Sequence, residues 1–217
     1  MSRTAIVVFS DPKSGSEEAL GRVLKEHGAT GFTGYGRLHD EGTILAILSQ
    51  DGQLKPELTE GEEADIILST TPFYGESGGQ LGDTGWLKNE AGILQVLNTK
   101  KHEGLHIHRV RAVSGTLAEG DKVKAEVDGV RRKDTVLHHS SAHVFHAAVR
   151  QIFGKEVVQA GSQVGPAAMR FDFTLSKQPT RQELAKVEAL MNEWVRTASP
   201  VKTTEMSIDE AKQTGAI

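Results

Sequence analysis

The sequence predicts an α+β protein, a glycine-rich, barrel-like β part followed by a two-layer α/β part that looks cut short. Three observations carry this expectation. Most of the 23 glycines stand before residue 130, between short runs that suit strands and turns. After Asp128 the apolar period becomes helical. The order beyond it is helix, strand, strand, helix, which separates it from the alternating α/β classes. Three divisions follow: a strand–helix segment of unclear origin at 1–30, a glycine-rich β part at 31–130, and an α+β part at 131–217.

The elements are expected in this order. Thr4 to Phe9 (TAIVVF) reads as a strand. Ser16 can cap a helix whose Glu17 and Glu18 suit the positive end of the helix dipole and which Gly28 would stop. From Phe32, two short strands are expected about an Asp-Glu-Gly turn, then an Asp-Gly turn at Asp51 and Gly52. ADIILSTTPFY is a further strand. ILQVLNTKK and LHIHRVRAV flank His102-Glu103-Gly104 as a hairpin, and DKVKAEVDG alternates as a strand. Val136, Ala142, Phe145, Val149 and Ile152 set a helix over Thr135 to Phe153, ended by Gly154. VVQAGSQV and MRFDFTL are two strands. Thr180 with Glu183 forms a capping box for a helix with Leu184, Val187, Leu190, Met191, Trp194 and Val195 on one face. Ser207 with Glu210 caps a last helix running nearly to Ile217. A sheet of two strands is marginal by itself, which suggests that part of it is missing and that a second copy or a complementing chain would cover it.

Composition narrows the function classes. With no Cys, disulfides and thiolate metal ligands are excluded within the 217 residues. No apolar run approaches a membrane span and no signal-peptide layout opens the chain, so a cytoplasmic protein with no membrane partner is expected. The net charge of −4 argues against nucleic-acid binding by electrostatics alone, so any RNA contact must be a local patch.

Two segments carry chemistry. Four of the nine His fall in VLHHSSAHVFHAAV, as His138, His139, His143 and His146. His139 and His143 share one helical face at a spacing that lets two imidazoles converge on one metal, with His146 a turn further on. The plainer reading is polar surface or capping histidines. His106 and His108 alternate on one strand face and read as an ordinary half-exposed pair, with metal ligation the alternative. Thr70 to Leu87 (TTPFYGESGGQLGDTGWL) is neither a P-loop nor a dinucleotide fingerprint, and reads as a tight strand connection or as a binding loop.

These stretches resemble one family. TPFYGESGGQLGDTG at 71–85 is similar to the TPFYAESGGQVGDxG signature of alanyl-tRNA synthetase. HHSSAHVFHAAVRQIFG at 138–154 resembles its NHSATHLLHAALRQVLG, and VVQAGSQVGPAAMRFDF its VxQKGSLVxxxxLRFDF. The tail MSIDEAKQTGAI also resembles the helix that follows there. The resemblance runs from about Phe32 to Ile217 and includes the free-standing AlaX proteins; residues 1 to about 27 have no counterpart in it.

The resemblance implies an aminoacyl-tRNA editing domain, a hydrolase that cleaves the ester of Ser or Gly wrongly attached to alanine tRNA and so serves translation fidelity. The expected partner is the 3′ end of tRNA(Ala). The family's zinc is held by an HxxxH pair, here His139 and His143, and by a later CxxxH that this Cys-free sequence does not contain. Gln159 and Gln80 take the positions implied to be catalytic, and Ser77, Gly78, Gly79 and His146 those implied to bind substrate. His138 stands where the family has Asn, and Ala160 where it has Lys. No ATP-dependent aminoacylation domain is seen, so charging of tRNA is not expected. Two functions therefore compete: a deacylase that is incomplete as this chain, and an inactive tRNA- or protein-binding module derived from one.

Overall fold

The structure, a computed structural model, describes residues 14–200, 204 and 206–214. The strand expected at Thr4 to Phe9 lies outside the described residues. The chain divides into two compact units, Met1–Ala142 with Gln159–Phe173, and His143–Val158 with Thr174–Ile217.

In the first unit, helix α1 (Ser14–His27) begins just before the expected Ser16 cap. It ends where expected, the Gly28 N–H closing on the Leu24 carbonyl at 2.9 Å. Ten strands follow: β1 (Gly31–Phe32), β2 (His39–Leu48), β3 (Leu54–Lys55), β4 (Glu57–Thr59), β5 (Glu63–Leu68), β6 (Thr70–Thr71), β7 (Gly85–Lys88), β8 (Gly92–His102), β9 (Leu105–Ala118) and β10 (Lys122–Val127). Six of them run β10-β7-β8-β9-β5-β2, and β2 pairs back onto β10, so the sheet closes into an antiparallel barrel without free main edges. β3 extends β2, β4 pairs with β9, and β1 lies parallel to β6.

The Asp-Glu-Gly turn expected between two short strands is absent. β2 passes straight through Asp40, Glu41 and Gly42 because these residues pair with Ala125, Lys124 and Val123 to close the barrel. That partner lies some eighty residues away, and its hydrogen bonds outweigh the local turn preference. The hairpin at His102 is as expected, with Glu103 (φ 46°) and Gly104 (φ 89°) both left-handed at its tip.

The apolar run in β5 has a simple cause: both faces are covered. Ala64, Ile66 and Leu68 point into the barrel with Ile44, Phe73, Leu94, Val110 and Leu117. Ile67 points the other way, into a cluster with Ala19, Leu20 and Val23 of α1 and Ala46, Leu48 and Leu105. α1 is thus the outer layer over one barrel wall.

Helix α2 (Gly129–Phe153) begins six residues before the expected Thr135. Asp128 caps it, its Oδ1 accepting the Arg131 N–H at 3.0 Å. Its first turn is charged rather than apolar, which hid the start. Strands β11 (Gln159–Val164) and β12 (Met169–Phe173) form an antiparallel pair, irregular between Gln159 and Gly161.

In the second unit, the last part of α2 buries Ala148 and Val149, and the Arg150 guanidinium bonds the Val157 carbonyl at 3.1 Å. Helices α3 (Arg181–Thr197) and α4 (Ile208–Gln213) both carry the expected capping boxes, Thr180 with Glu183 and Ser207 with Glu210. The continuous apolar face expected on α3 is narrower: Val187 is buried, whereas Leu184 and Val195 are exposed. Among the described residues, no helix is long and apolar enough to cross a membrane.

Candidate functional site

The glycine-rich segment starts inside the barrel. His108, on the same face of β9 as Val110 and Ala112, is fully buried. Its Nδ1 donates to the Ile66 carbonyl (3.0 Å), which leaves Nε2 to accept from the Thr71 hydroxyl (2.8 Å). Thr71 Oγ1 in turn accepts the Phe73 N–H at 3.2 Å. Burial holds His108 neutral, its pKa pushed down to about 4. His106 is buried too, pushed down to about 4 by desolvation and then by the charge of Lys101. The half-exposed pair expected for these two histidines is therefore corrected. They share a face with apolar barrel residues and are structural.

From Tyr74 the segment leaves the barrel as a loop. Asp83, only 1% exposed, accepts the Tyr74 N–H (2.8 Å) and receives the forked guanidinium of Arg132 on both oxygens. The same guanidinium donates to the Gly34 (2.8 Å) and Pro72 (2.9 Å) carbonyls, and Arg131 to the Gly82 carbonyl (2.9 Å). The first turn of α2 thus clamps the base of the loop. Nothing in the sequence pattern marked Arg131, Arg132 or Asp83, because such a clamp has no local periodicity.

At the loop tip, Ser77 and Gln80 close a turn through reciprocal backbone bonds of 3.0 and 3.3 Å. Gly79 is left-handed (φ 81°), and a Cβ there would meet the Ser162 carbonyl and hydroxyl at 2.6 Å. That close approach lets the loop lace onto β11: the Val164 N–H donates to the Gly79 carbonyl (2.8 Å), and the Leu81 N–H to the Val164 carbonyl (2.9 Å). Nothing lies within 4 Å of a Cβ built on Gly78, so the space beside it is open.

The side chain of Gln80 is buried, and its Oε1 lies 2.6 Å from His139 Nδ1. An amide oxygen only accepts, so His139 donates from Nδ1 in this contact. His138 similarly donates from Nδ1 to the Gly165 carbonyl at 2.7 Å. On β11, exposed Gln159 donates from Nε2 to the Ser162 hydroxyl at 3.0 Å. The structure therefore brings Ser77, Gly79, Gln80, His139 and Gln159 into one connected set, with Gly78 on its open side. Ser162 joins that set; only its place in an Ala-Gly-Ser stretch marked it. His143, exposed, and His146, half-buried, fall in the second unit.

Among the described residues, no group of three His, Cys, Asp or Glu stands ready to hold a metal ion. The Gln80 amide oxygen on His139 Nδ1 is the kind of contact that orients a metal-ligating imidazole. A cavity of about 600 Å³ lies elsewhere, between α1 and the barrel wall, lined by residues such as Leu20, Leu48, Asp65, Lys100 and Arg109. It holds none of the expected site residues.

The sequence matches one class of proteins. Residues 11–131 match the family model for class II (A) tRNA synthetases, and the chain belongs to that family. Helix α1 lies inside the matched region. Over 194 residues the chain is 43% identical to alanine–tRNA ligase of Paracoccus denitrificans, covering 89% of this chain and 22% of that protein. It is 44% identical over 211 residues to that of Alkaliphilus oremlandii, covering 96% of this chain and 24% of the other. It is 40% identical to that of Thermus thermophilus over 217 residues, all of this chain and 24% of the relative. The chain is thus related to alanyl-tRNA synthetases along its whole length, and it spans about a quarter of the length of these relatives.

Proposed function

We propose that this chain contributes an editing site that hydrolyses Ser or Gly esters of alanine tRNA. One observation supports this reading above others. The three stretches that resemble an editing domain, at 71–85, 138–154 and 157–173, are remote in sequence, yet parts of them meet through Gln80 to His139, Gly79 to Val164, and His138 to Gly165.

Each group then has a role. The aminoacyl ester is an activated acyl group, and a pocket made for Ala cannot strongly reject Gly or Ser, so a second, hydrolytic site has a purpose. The open side of the turn at Gly78 is where we place the ester and the terminal ribose. Gln80 orients the His139 ring, and Gln159 with Ser162 borders the same set from β11. With its Nδ1 on Gln80, the His139 imidazole is the group we assign to hold a metal or to take up a proton from water. A zinc ion bound at His139 would supply a polarised carbonyl or a water of lowered pKa, its remaining ligands being other than Cys of this chain.

The test is release of Ser from Ser-tRNA(Ala) by this chain with added Zn²⁺, beside a His139→Ala, His143→Ala double variant. Hydrolysis that vanishes in the variant supports the proposal. Equal background in both, with tRNA affinity retained, would favour the binding-module reading.

A further inference from the structure

Tyr35 is 91% exposed, the most exposed aromatic among the described residues. An exposed ring of this size usually sits on a pliable loop, where disorder recovers some of the entropy that ordering costs. This one sits on a turn held from several sides. The Thr33 N–H donates to the Thr71 carbonyl (3.0 Å), and the Gly36 N–H to the Thr33 carbonyl (3.3 Å). The Thr33 hydroxyl donates to Asp40 (2.7 Å), and Arg132 grips the Gly34 carbonyl (2.8 Å). Gly34 lies so close to its neighbours that a Cβ there would stand 2.2 Å from the Pro72 carbonyl and 2.5 Å from the Phe32 ring. The turn is thus drawn down onto Phe32.

Phe32 is the centre of a short aromatic stack. It meets Tyr35 edge to face at 5.0 Å and Tyr74 at 6.3 Å, and lies flat on His106 at 5.1 Å and 7°. His106 is 4% exposed, and its Nδ1 has no hydrogen-bond partner, so the ring serves as an apolar backing to Phe32. Tyr74 carries the stack to the candidate site: its hydroxyl donates to the Ser77 carbonyl at 3.3 Å, within the turn that holds Gln80. Arg37 follows Tyr35 by two residues. Its side chain is 67% exposed and only loosely paired with Asp40, at 3.8 Å.

We infer that Tyr35, backed by Phe32, is a stacking platform for an unpaired base of single-stranded RNA, with Arg37 beside it for the neighbouring phosphate. The inference rests on the tRNA-directed reading above and adds to it the place where the strand is held. A flat, preorganised, accessible ring next to a cation suits base stacking, which is tolerant of sequence. The chain's net charge of −4 makes such a local anchor necessary, since the overall field repels RNA. A protein partner is the weaker choice, because Tyr35 is flanked along the turn by Thr33, Gly34, Gly36 and Arg37, which offer little apolar surface.

The experiment is fluorescence anisotropy of a labelled oligoadenylate RNA, and of the same RNA with abasic sugars, titrated with the full chain and with Tyr35→Ala, Tyr35→Phe and Arg37→Ala. Circular dichroism checks that each variant is folded. The expected result is roughly ten-fold weaker oligoadenylate binding for Tyr35→Ala, near-wild-type binding for Tyr35→Phe, and no difference between Tyr35→Ala and wild type on abasic RNA. Arg37→Ala should weaken both RNAs alike and flatten the salt dependence.

Wild-type affinity in Tyr35→Ala, an equal loss on abasic RNA, or no RNA affinity in the wild type each overturns the inference. Unchanged RNA binding with altered self-association would assign the ring to a protein contact and overturn it equally. Hydrolysis is not read in this assay. A chain that stacks RNA but releases no amino acid keeps the platform and defeats the editing reading, and the converse result separates them the other way.

Discussion

Replacing Arg132 by Ala removes the guanidinium that ties α2 to the buried Asp83 of the glycine-rich loop. Its side chain is 12% exposed and its carboxylate partner, Asp83, 1% exposed, so both charges lie largely out of water. The variant loses the bonds to both Asp83 oxygens and the bonds to the Gly34 and Pro72 carbonyls. It leaves a buried carboxylate whose remaining backbone contact is the Tyr74 N–H. Removing one partner of a buried pair costs about 3–5 kcal/mol, chiefly because the other charge stays behind uncompensated. With a urea dependence of about 2 kcal/mol per molar, the unfolding midpoint of the barrel unit should fall by roughly 2 M. Barrel unfolding can be followed by the fluorescence of Trp86 on β7, which lies in the first unit. Arg132→Lys keeps the charge but not the fork, and should recover only part of the loss. A midpoint for Arg132→Ala within about 0.3 M of wild type, roughly 0.6 kcal/mol, would refute the clamp.

Three further outcomes are expected. His108 has a folded pKa depressed to about 4 from the ordinary 6.5, so its contribution is complete above 6.5 and is lost as pH falls towards 4. Between pH 7 and pH 5 this linkage should cost about 2 kcal/mol in urea unfolding, a part of the acid loss that His108→Gln removes while the like contribution of His106 remains. Gly79→Ala places a methyl group against Ser162 at a left-handed residue; it should unlace the loop from β11 and abolish ester hydrolysis while the barrel's circular dichroism persists. Leu20→Ala enlarges the cavity between α1 and the barrel wall and should cost about 2–5 kcal/mol, read by denaturation, with little effect on the proposed hydrolysis because α1 supplies none of the candidate site residues.

Much of this architecture was legible in local pattern. The His102 hairpin, the Gly28 stop and the capping boxes at Thr180 and Ser207 depend on a few adjacent residues, and those residues announce them. What local pattern concealed was long-range closure. β2 looked like two strands because Asp-Glu-Gly is a good turn, and only its pairing with β10 overrides that preference. The start of α2 was hidden because Arg131 and Arg132 reach back to the loop instead of marking an apolar face. The burial of His106 and His108 could have been read from the strand, since they alternate with Val110 and Ala112. At the candidate site, the glycine-rich and histidine motifs identified Gln80 and His139 separately. Their contact across 59 residues, and the Asp83–Arg132 clamp beneath it, are tertiary facts without a sequence period.

The most direct test of the proposed site is the hydrolysis of Ser-tRNA(Ala) by Gln80→Ala under single-turnover conditions with zinc present. If Gln80 orients His139 for the reaction, the rate constant should fall roughly 10–100-fold while tRNA affinity is unchanged. A Gln80→Ala chain that hydrolyses the ester at the wild-type rate would contradict the assignment of this buried amide and its histidine to the editing reaction.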